Sequence, residues 1–351
     1  MDAKRAILAY LGRRAAAGGG ELRERVGISR QALSVHLRAL IDTGEVVRVG
    51  ATRGARYALA SRAPPPAVVS RSLRTKGLDE AVVWDEVAAR LNLRRALRPN
   101  VESIVHYAFT EMLNNAIEHS ASDRCAIRFA LEAGAASFVV RDPGIGVFHS
   151  IASKLHLPDE HAALVELLKG RTTTMREAHS GEGIFFTARG ADRFVLRSHR
   201  IQIEWARARD DVFVSERRLL AGTDVRFSIQ RSTQRRIADV FGEFAPAAYD
   251  FQFQRTKVLV KLLQREYVSR SEARRLLANL EKFREVVLDF RGVQSVGQGF
   301  ADEVFRVFAS RHPETAITTE NAQPAVEAMI RHVAAAPPGT AAAGPAPGKP
   351  G

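Results

Sequence analysis

Three consecutive prolines, Pro64, Pro65 and Pro66, stand near the start of the chain. Each lacks a backbone N–H and holds φ near −65°, so neither a helix interior nor a central strand can run through them. The expectation is therefore a chain organised as separate pieces on either side, and the length of 351 residues suits two or three domains. The surrounding SRAPPPAVVSRSLRTKG mixes these prolines with Ser, Arg and Lys and reads as an extended, solvated connector over 61–76. Charge divides at the same place. Residues 1–76 hold 15 basic and 5 acidic side chains, a net of +10 out of +13 for the whole chain, so the rest is close to neutral. With 46% hydrophobic residues a wholly disordered chain is excluded, although the Ala/Pro/Gly-rich 334–351 has almost nothing to bury and reads as a disordered tail. A single cysteine, Cys125, excludes an internal disulfide and a thiolate metal cluster. No uncharged apolar run reaches about 18 residues, and MDAKRAILAY lacks a long apolar leader core. The expectation is a cytoplasmic protein without a membrane partner.

AKRAILAYLGRR, ELRERVG and SRQALSVHLRALIDTG have the patterns of three amphipathic helices, the last two joined by a Gly-Ile turn. Ser29 is the natural N-cap of the third, and Leu33, Leu37, Leu40 and Ile41 form its apolar stripe. Gln31, Val35 and Arg38 then project from the opposite face, with Ser34 at its edge. EVVRVGATRGARYALA follows as two short strands around a loop bearing Arg53 and Arg56. Residues 1–60 resemble a winged helix-turn-helix domain of bacterial transcription regulators. That resemblance implies DNA as partner, with Arg30, Gln31, Ser34 and Arg38 on the helix that enters the major groove and Arg53 and Arg56 on the wing. Arg and Gln have the donor geometry for guanine and adenine edges, while wing arginines mostly neutralise phosphate.

Between 77 and 232 helical and strand-like patterns alternate. In VESIVHYAFTEMLNNAIEHS, Glu111, Asn115 and His119 recur every four residues and make one polar stripe opposite Ile104, Ala108, Met112 and Ala116. Asn is about 0.6 kcal/mol worse than Ala in a helix, so Asn114 and Asn115 side by side need a reason other than helix formation. Next, Phe138–Val140 reads as a strand leading into Asp142-Pro143-Gly144-Ile145-Gly146, an acid followed by backbone that a ligand can approach closely. Further on, KGRTTTMREAHSGEGIFF sets Gly181 and Gly183 behind a polar, basic loop, a pattern whose free amides suit phosphate oxygens.

The order and spacing of EMLNNAIEHS, DPGIG and SGEGIFF resemble the N-box and two glycine boxes of the GHKL superfamily of ATP-binding domains, shared by gyrase, MutL, histidine kinases and the anti-sigma-factor serine kinases. The resemblance implies a Bergerat-type α/β sandwich that binds ATP and Mg²⁺. By it, Glu111 is the general base or water-orienting group, Asn115 coordinates Mg²⁺, and Asp142 binds the adenine amino group. Gly144 and Gly146 shape the adenine side, and Gly181 and Gly183 let the lid meet the phosphates. Two departures stand out: Phe185-Phe186 occupies the place of a further glycine, and no two-helix segment with a phosphoacceptor histidine precedes the domain. Packing or capping is the expected role of His106 and His119.

Residues 236–333 read as a small αβ piece, and VVLDFRGVQSVGQGFADEVFRVF is similar to the centre of STAS domains, the sigma-factor-antagonist fold. Where phosphorylated members carry a serine this chain has Gly297-Gln298-Gly299, and Ser295 is expected within the strand. The fold class expected is thus α+β multidomain: winged helix, Bergerat-type sandwich, then a STAS-like domain that offers a surface to a protein partner. The expected function is an ATP-binding, DNA-binding regulator whose nucleotide state controls DNA or partner binding. The alternative is an anti-sigma-type serine/threonine protein kinase acting on a separate protein. Homodimer formation is open.

Overall fold

The computed structural model describes residues 3–49, 55–62, 66–170, 182–209, 211–247, 252–262 and 267–335. The chain divides into two compact units, Met1–Phe241 and Gly242–Gly351. The first begins with helices α1 (Ala3–Leu11), α2 (Gly19–Val26) and α3 (Arg30–Asp42) and a small sheet of β1 (Ala17–Gly18), β2 (Val46–Val49) and β3 (Arg56–Leu59), ordered β1-β3-β2. Ser29 caps α3, its hydroxyl accepting from the Ala32 amide at 3.1 Å. Leu33, Leu37 and Leu40 meet Ile7, Leu11, Leu22 and Val46 in one buried cluster, with Ile41 packed against it. That contact is what holds such short helices, which are marginal in isolation.

The larger part of this unit is an antiparallel sheet of β4 (Ala67–Arg74), β5 (Arg124–Leu131), β6 (Ala135–Asp142), β7 (Arg193–Ala206) and β8 (Asp211–Gln230), in the order β4-β5-β6-β8-β7. Its helices are α4 (Glu80–Leu91), α5 (Leu93–Ala96), α6 (Pro99–Glu118), α7 (Val147–Lys154), α8 (Glu160–Lys169) and α9 (Gly183–Gly190). One cross-strand row places Phe129 opposite Phe138, Phe138 opposite Phe227 and Phe227 opposite Phe194. Phe109 of α6 stands edge-on to Phe138 at 5.3 Å between ring centroids. These fully buried rings pin α6 to the middle of the sheet.

The connector expected over 61–76 is corrected here: residues 67–74 are the edge strand β4, so the sandwich starts at Ala67 rather than Gly77. Val69, Arg71 and Leu73 point toward the helices and Ser70, Ser72 and Arg74 away from them. Arg71 can point inward because Glu86 of α4 pairs with it. An edge strand with so few apolar residues imitates a linker, since charge and hydroxyls are what protects an exposed edge. A second difference lies in β8, where the separate strands expected from DVFVSERR and TDVRFSIQ form one strand of 20 residues.

The expected start of the C-terminal piece at 236 also shifts. Helix α10 (Ile237–Phe244) carries Phe241, which packs edge-on to Tyr107 at 5.3 Å and lies 4.5 Å from Phe186, so its first turns belong to the first unit. The second unit holds a parallel sheet of β9 (Arg255–Leu259), β10 (Glu285–Asp289) and β11 (Ala316–Glu320), ordered β11-β10-β9. Around it are α11 (Arg270–Leu277), α12 (Gln298–Asp302), a π-helical turn (Glu303–Phe308), α13 (Ala309–Arg311) and α14 (Pro324–Ala335). Central β10 is buried from Val286 to Asp289, as a parallel strand covered on both faces should be. Asp289 is closed from solvent at its end. Burial works to raise its pKa, yet hydrogen bonds from Asn321 and the Arg291 amide and the charges of Lys257 and Arg291 hold the carboxyl below the usual range. The Arg291–Asp289 bond starts a turn completed by Gly292 at φ 80°, so Ser295 lies in an exposed loop and not in the strand. The part of the tail from 336 lies outside the described residues.

Candidate functional site

Helix α6 ends on the polar stripe. Its C-cap is His119, whose amide donates to the Asn115 carbonyl at 3.0 Å, so Glu111 and Asn115 occupy the last two turns, both half-buried. The chain then bends through Ser120, whose hydroxyl returns to the Ala116 carbonyl at 2.5 Å and whose own carbonyl accepts from the Ile145 amide at 2.8 Å. This joins the end of α6 to the Asp142–Gly146 loop. Gly144 lies so close that a Cβ there would fall 1.9 Å from the Ser120 oxygen. No other residue type fits that contact.

Asp142 terminates β6 and is 4% exposed. Its Oδ1 accepts from the Gly144 amide at 2.9 Å, and the Thr223 backbone donates to it as well. Burial is the dominant influence and pushes its carboxyl above the ordinary aspartate range, against those hydrogen bonds. Buried Cys125 is likewise pushed up to about 11, chiefly by burial and then by the Asp142 charge, which makes it a poor nucleophile.

Sequence reasoning missed the other wall. Gly222 and Thr223 lie on β8, with Thr223 opposite Asp142. Thr223 Oγ1 accepts from the Val147 amide at 3.1 Å, fixing the start of α7. Gly222 has φ 75°, and a Cβ there would lie 2.0 Å from the Asp142 carbonyl oxygen. The available signal was the Gly-Thr pair directly before the alternating run DVRFSI. Ser198 and His199 complete the wall: Ser198 donates to the Gly222 carbonyl at 3.1 Å, and a Cβ on Gly146, at φ 81°, would meet Ser198 Oγ at 2.5 Å and His199 Nε2 at 2.9 Å. His199 sits at a bulge in β7 with φ 49°, and its Nδ1 lies 2.6 Å from Glu160 Oε1 at the start of α8. A left-handed backbone costs an ordinary L-residue about 1–2 kcal/mol, and Asn tolerates it best. His199→Ala is therefore expected to lower stability by about 1–2 kcal/mol more than His199→Asn, read from urea unfolding.

Gly183 opens α9 directly against α6, where a Cβ would lie 2.0 Å from Glu111 Oε2. The structure thus brings Glu111, Asn115, Asp142, Gly144, Gly146 and Gly183 to one end of the sheet and α6, whereas Gly181, Arg171 and Thr173 lie outside the described residues. Lys169, the last residue of α8, is buried, with Nζ 2.8 Å from Glu166 Oε1. Phe185 and Phe186 are buried too, their rings edge-on at 5.5 Å, so they anchor α9 in the core. His106 stacks on Trp84 at 4.6 Å, and His119 Nδ1 lies 3.4 Å from Lys154 Nζ.

In the N-terminal helices, Arg30, Gln31, Ser34 and Arg38 all lie on the exposed face of α3. Arg56 is on β3, where its guanidinium donates to the Ala16 carbonyl at 2.8 Å, and Arg53 lies outside the described residues. Among the described residues no group of three or more His, Cys, Asp or Glu is placed to hold a metal ion, and no helix is long and apolar enough to cross a membrane.

No curated protein matches the chain. Two family models do. Residues 272–327 match the STAS-like domain of unknown function (DUF4325), and residues 66–203 match the histidine kinase-like ATPase domain, whose lower limit coincides with the start of β4. The chain therefore carries a histidine kinase-like ATPase domain, built on the sheet that begins with β4 and including Asp142, followed by a STAS-like domain.

Proposed function

We propose that this protein is an ATP-controlled regulator: ATP with Mg²⁺ occupies the Asp142 pocket, and its presence changes what the protein binds, DNA being the first such partner. The observation that carries the reading is the buried, pKa-raised carboxylate of Asp142 in a cradle where Cβ atoms on Gly144, Gly146 and Gly222 would collide with the walls. The close backbone contacts at these glycines hold the loop that carries the carboxylate, and the resemblance to ATP-binding domains makes that carboxylate the acceptor for the exocyclic amino group of a flat heterocycle. Asn115 offers an amide oxygen, a hard ligand suited to Mg²⁺ held mainly by phosphates and water. The metal would neutralise phosphate charge. Glu111, one turn earlier, orients a water or takes its proton. Gly183 keeps the start of α9 within reach of Glu111.

The DNA half of the reading rests on the N-terminal helices. Three helices on a small sheet, with Arg30, Gln31, Ser34 and Arg38 exposed along α3, support reading this part as a winged helix whose third helix enters a groove. A ligand shifts such a system only through different affinity for its two states.

A second reading, a protein kinase acting on a separate protein, is favoured by the pairing of a histidine kinase-like ATPase domain with a STAS-like domain. The STAS-like domain then serves as a protein-binding surface. The deciding experiment is thermal melting with ATP and Mg²⁺. A ligand at a hundredfold its Kd stabilises by about 2.7 kcal/mol, and this gain is expected in the wild type and absent in Asn115→Ala. An unshifted wild-type melting curve removes both readings. Phosphate release that stops in Glu111→Ala supports the hydrolytic switch, and labelled γ-phosphate appearing on another protein supports the kinase.

A further inference from the structure

The face of the five-stranded sheet turned away from the helices has a composition that the ATPase site does not use. Along the register, Ser72, Ala126, Arg141, Asp224 and Arg197 form one row across the strands, and Ser70, Arg128, Val139, Arg226 and Val195 form the next. Arg74 and Arg124 face each other in the row beyond. These three rows thus hold six arginines and one acid, Asp224, which Arg226 already takes at 2.7 Å; Arg193, opposite Ser228 on the same face, is paired with Glu204. Arg124 pairs with Asp123 at 3.3 Å. Arg74, Arg128 and Arg141 are exposed and have no ion-pair partner among the described residues. Beside them is an open depression of about 450 Å³ whose lining includes the small side chains Ser70, Ser72 and Ala126 together with Arg128, Arg141 and Asp224. Outside residues 1–76 the chain is nearly neutral, so this is a local field and not a share of a general excess.

Guanidinium groups beside hydroxyls are the donor set that proteins direct at phosphate oxygens. The rows contain no aromatic side chain, which removes the stacking platform that single strands require. They also lack the aromatic or large apolar centre on which protein interfaces depend. We propose that this face binds the phosphodiester backbone of duplex DNA, as a second contact surface beside the basic N-terminal helices. The inference rests on the DNA half of the function proposed above. Both surfaces belong to one compact unit, and a Cβ on Gly134 in the β5–β6 turn would meet the Arg48 carbonyl of β2 at 3.0 Å, so the N-terminal sheet abuts the end of this one. The face carries no base-reading function. It adds affinity that is independent of sequence and steep in salt.

The test is equilibrium binding of the full chain to a duplex of about 30 base pairs over a series of salt concentrations. Each phosphate contact contributes about 0.9 to the slope of log K against log salt. The Arg74→Gln, Arg128→Gln, Arg141→Gln triple variant is expected to flatten that slope by about 2–3 and to weaken binding uniformly across duplex sequences. Arg193→Gln, whose side chain pairs with Glu204 at 2.8 Å, should leave the slope nearly unchanged. Unaltered stabilisation by ATP shows that the triple variant is folded. If the wild type binds duplex and Arg38→Ala weakens it while the triple variant keeps the full slope, the sheet face is not a DNA surface and the N-terminal reading stands. If the wild type binds no duplex at any salt, both fall.

Discussion

Asp142→Asn is expected to weaken ATP binding about 100-fold or more while making the unliganded protein more stable near neutral pH. The first effect follows from replacing an acceptor-only group by one that presents two N–H donors toward a ligand amino group. A charge-assisted hydrogen bond is worth about 1.5–3 kcal/mol, and a site left with mismatched buried donors discriminates more strongly still. The second follows from the direction of the pKa shift. Burial raises the folded-state pKa of Asp142 above its unfolded value. For such a group the stabilising contribution is complete below about pH 4, the ordinary aspartate value, and is lost as pH rises through the raised folded value. At neutral pH the fold therefore bears the cost of burying this carboxyl group, and the neutral amide removes that cost. Melting of the two proteins between about pH 4 and 8 checks this: the advantage of the variant should be smallest at the acid end and should grow as pH rises. A variant that melts below the wild type at neutral pH and still binds ATP would show that Asp142 is a scaffold residue. Stability lost for the sake of a site is a common trade.

Gly222→Ala should be among the most damaging methyl groups that can be added to this protein. Two costs add. The residue lies at φ 75°, and its new Cβ would stand 2.0 Å from the Asp142 carbonyl oxygen and 2.6 Å from the Gly144 amide nitrogen. The left-handed backbone costs about 1–2 kcal/mol. Overpacking adds about 1–3 kcal/mol, toward the upper end here because the obstacle is backbone on both sides. A total of about 3–5 kcal/mol is a large part of the roughly 5–15 kcal/mol that usually holds a domain. Gly242→Ala is the control: it lies in α10, no atom stands within 4 Å of where its methyl group would go, and the change should gain up to about 1 kcal/mol. Urea unfolding separates the two. If Gly222→Ala folds normally, nucleotide affinity is the second measurement, because the β6–β8 spacing that it must widen also sets the position of Asp142.

Much of the site was legible in one dimension because it needs rare residue types at fixed spacing. Asn115 is costly in a helix, Asp142 ends an apolar strand, and Gly144 and Gly146 follow at once, so each stands out against its background. The same holds for Ser29, whose cap falls where the stripe of α3 begins. Other features carried no such contrast. Gly222 and Thr223 lie inside a long strand, and nothing local marks that they stand opposite Asp142. His199 looks like any histidine in a strand until its bulge and its Glu160 partner are seen. The sequence of β4 reads as a connector because its inward positions hold only two apolar residues, and Arg71 is tolerable there only through Glu86 on α4.

By itself the amino-acid sequence determined the order of the pieces, the three motifs and the concentration of positive charge before residue 77. Periodicity, capping and glycine placement are local properties, so they survive without knowledge of the fold. Tertiary structure alone decided that the prolines precede an edge strand, that Gly183 faces Glu111, and that arginines from β4, β5 and β6 converge on one open sheet face. Those relations join residues far apart in the chain. Strand register and backbone-to-backbone packing set them, and neither leaves a trace in the spacing of residues along the chain.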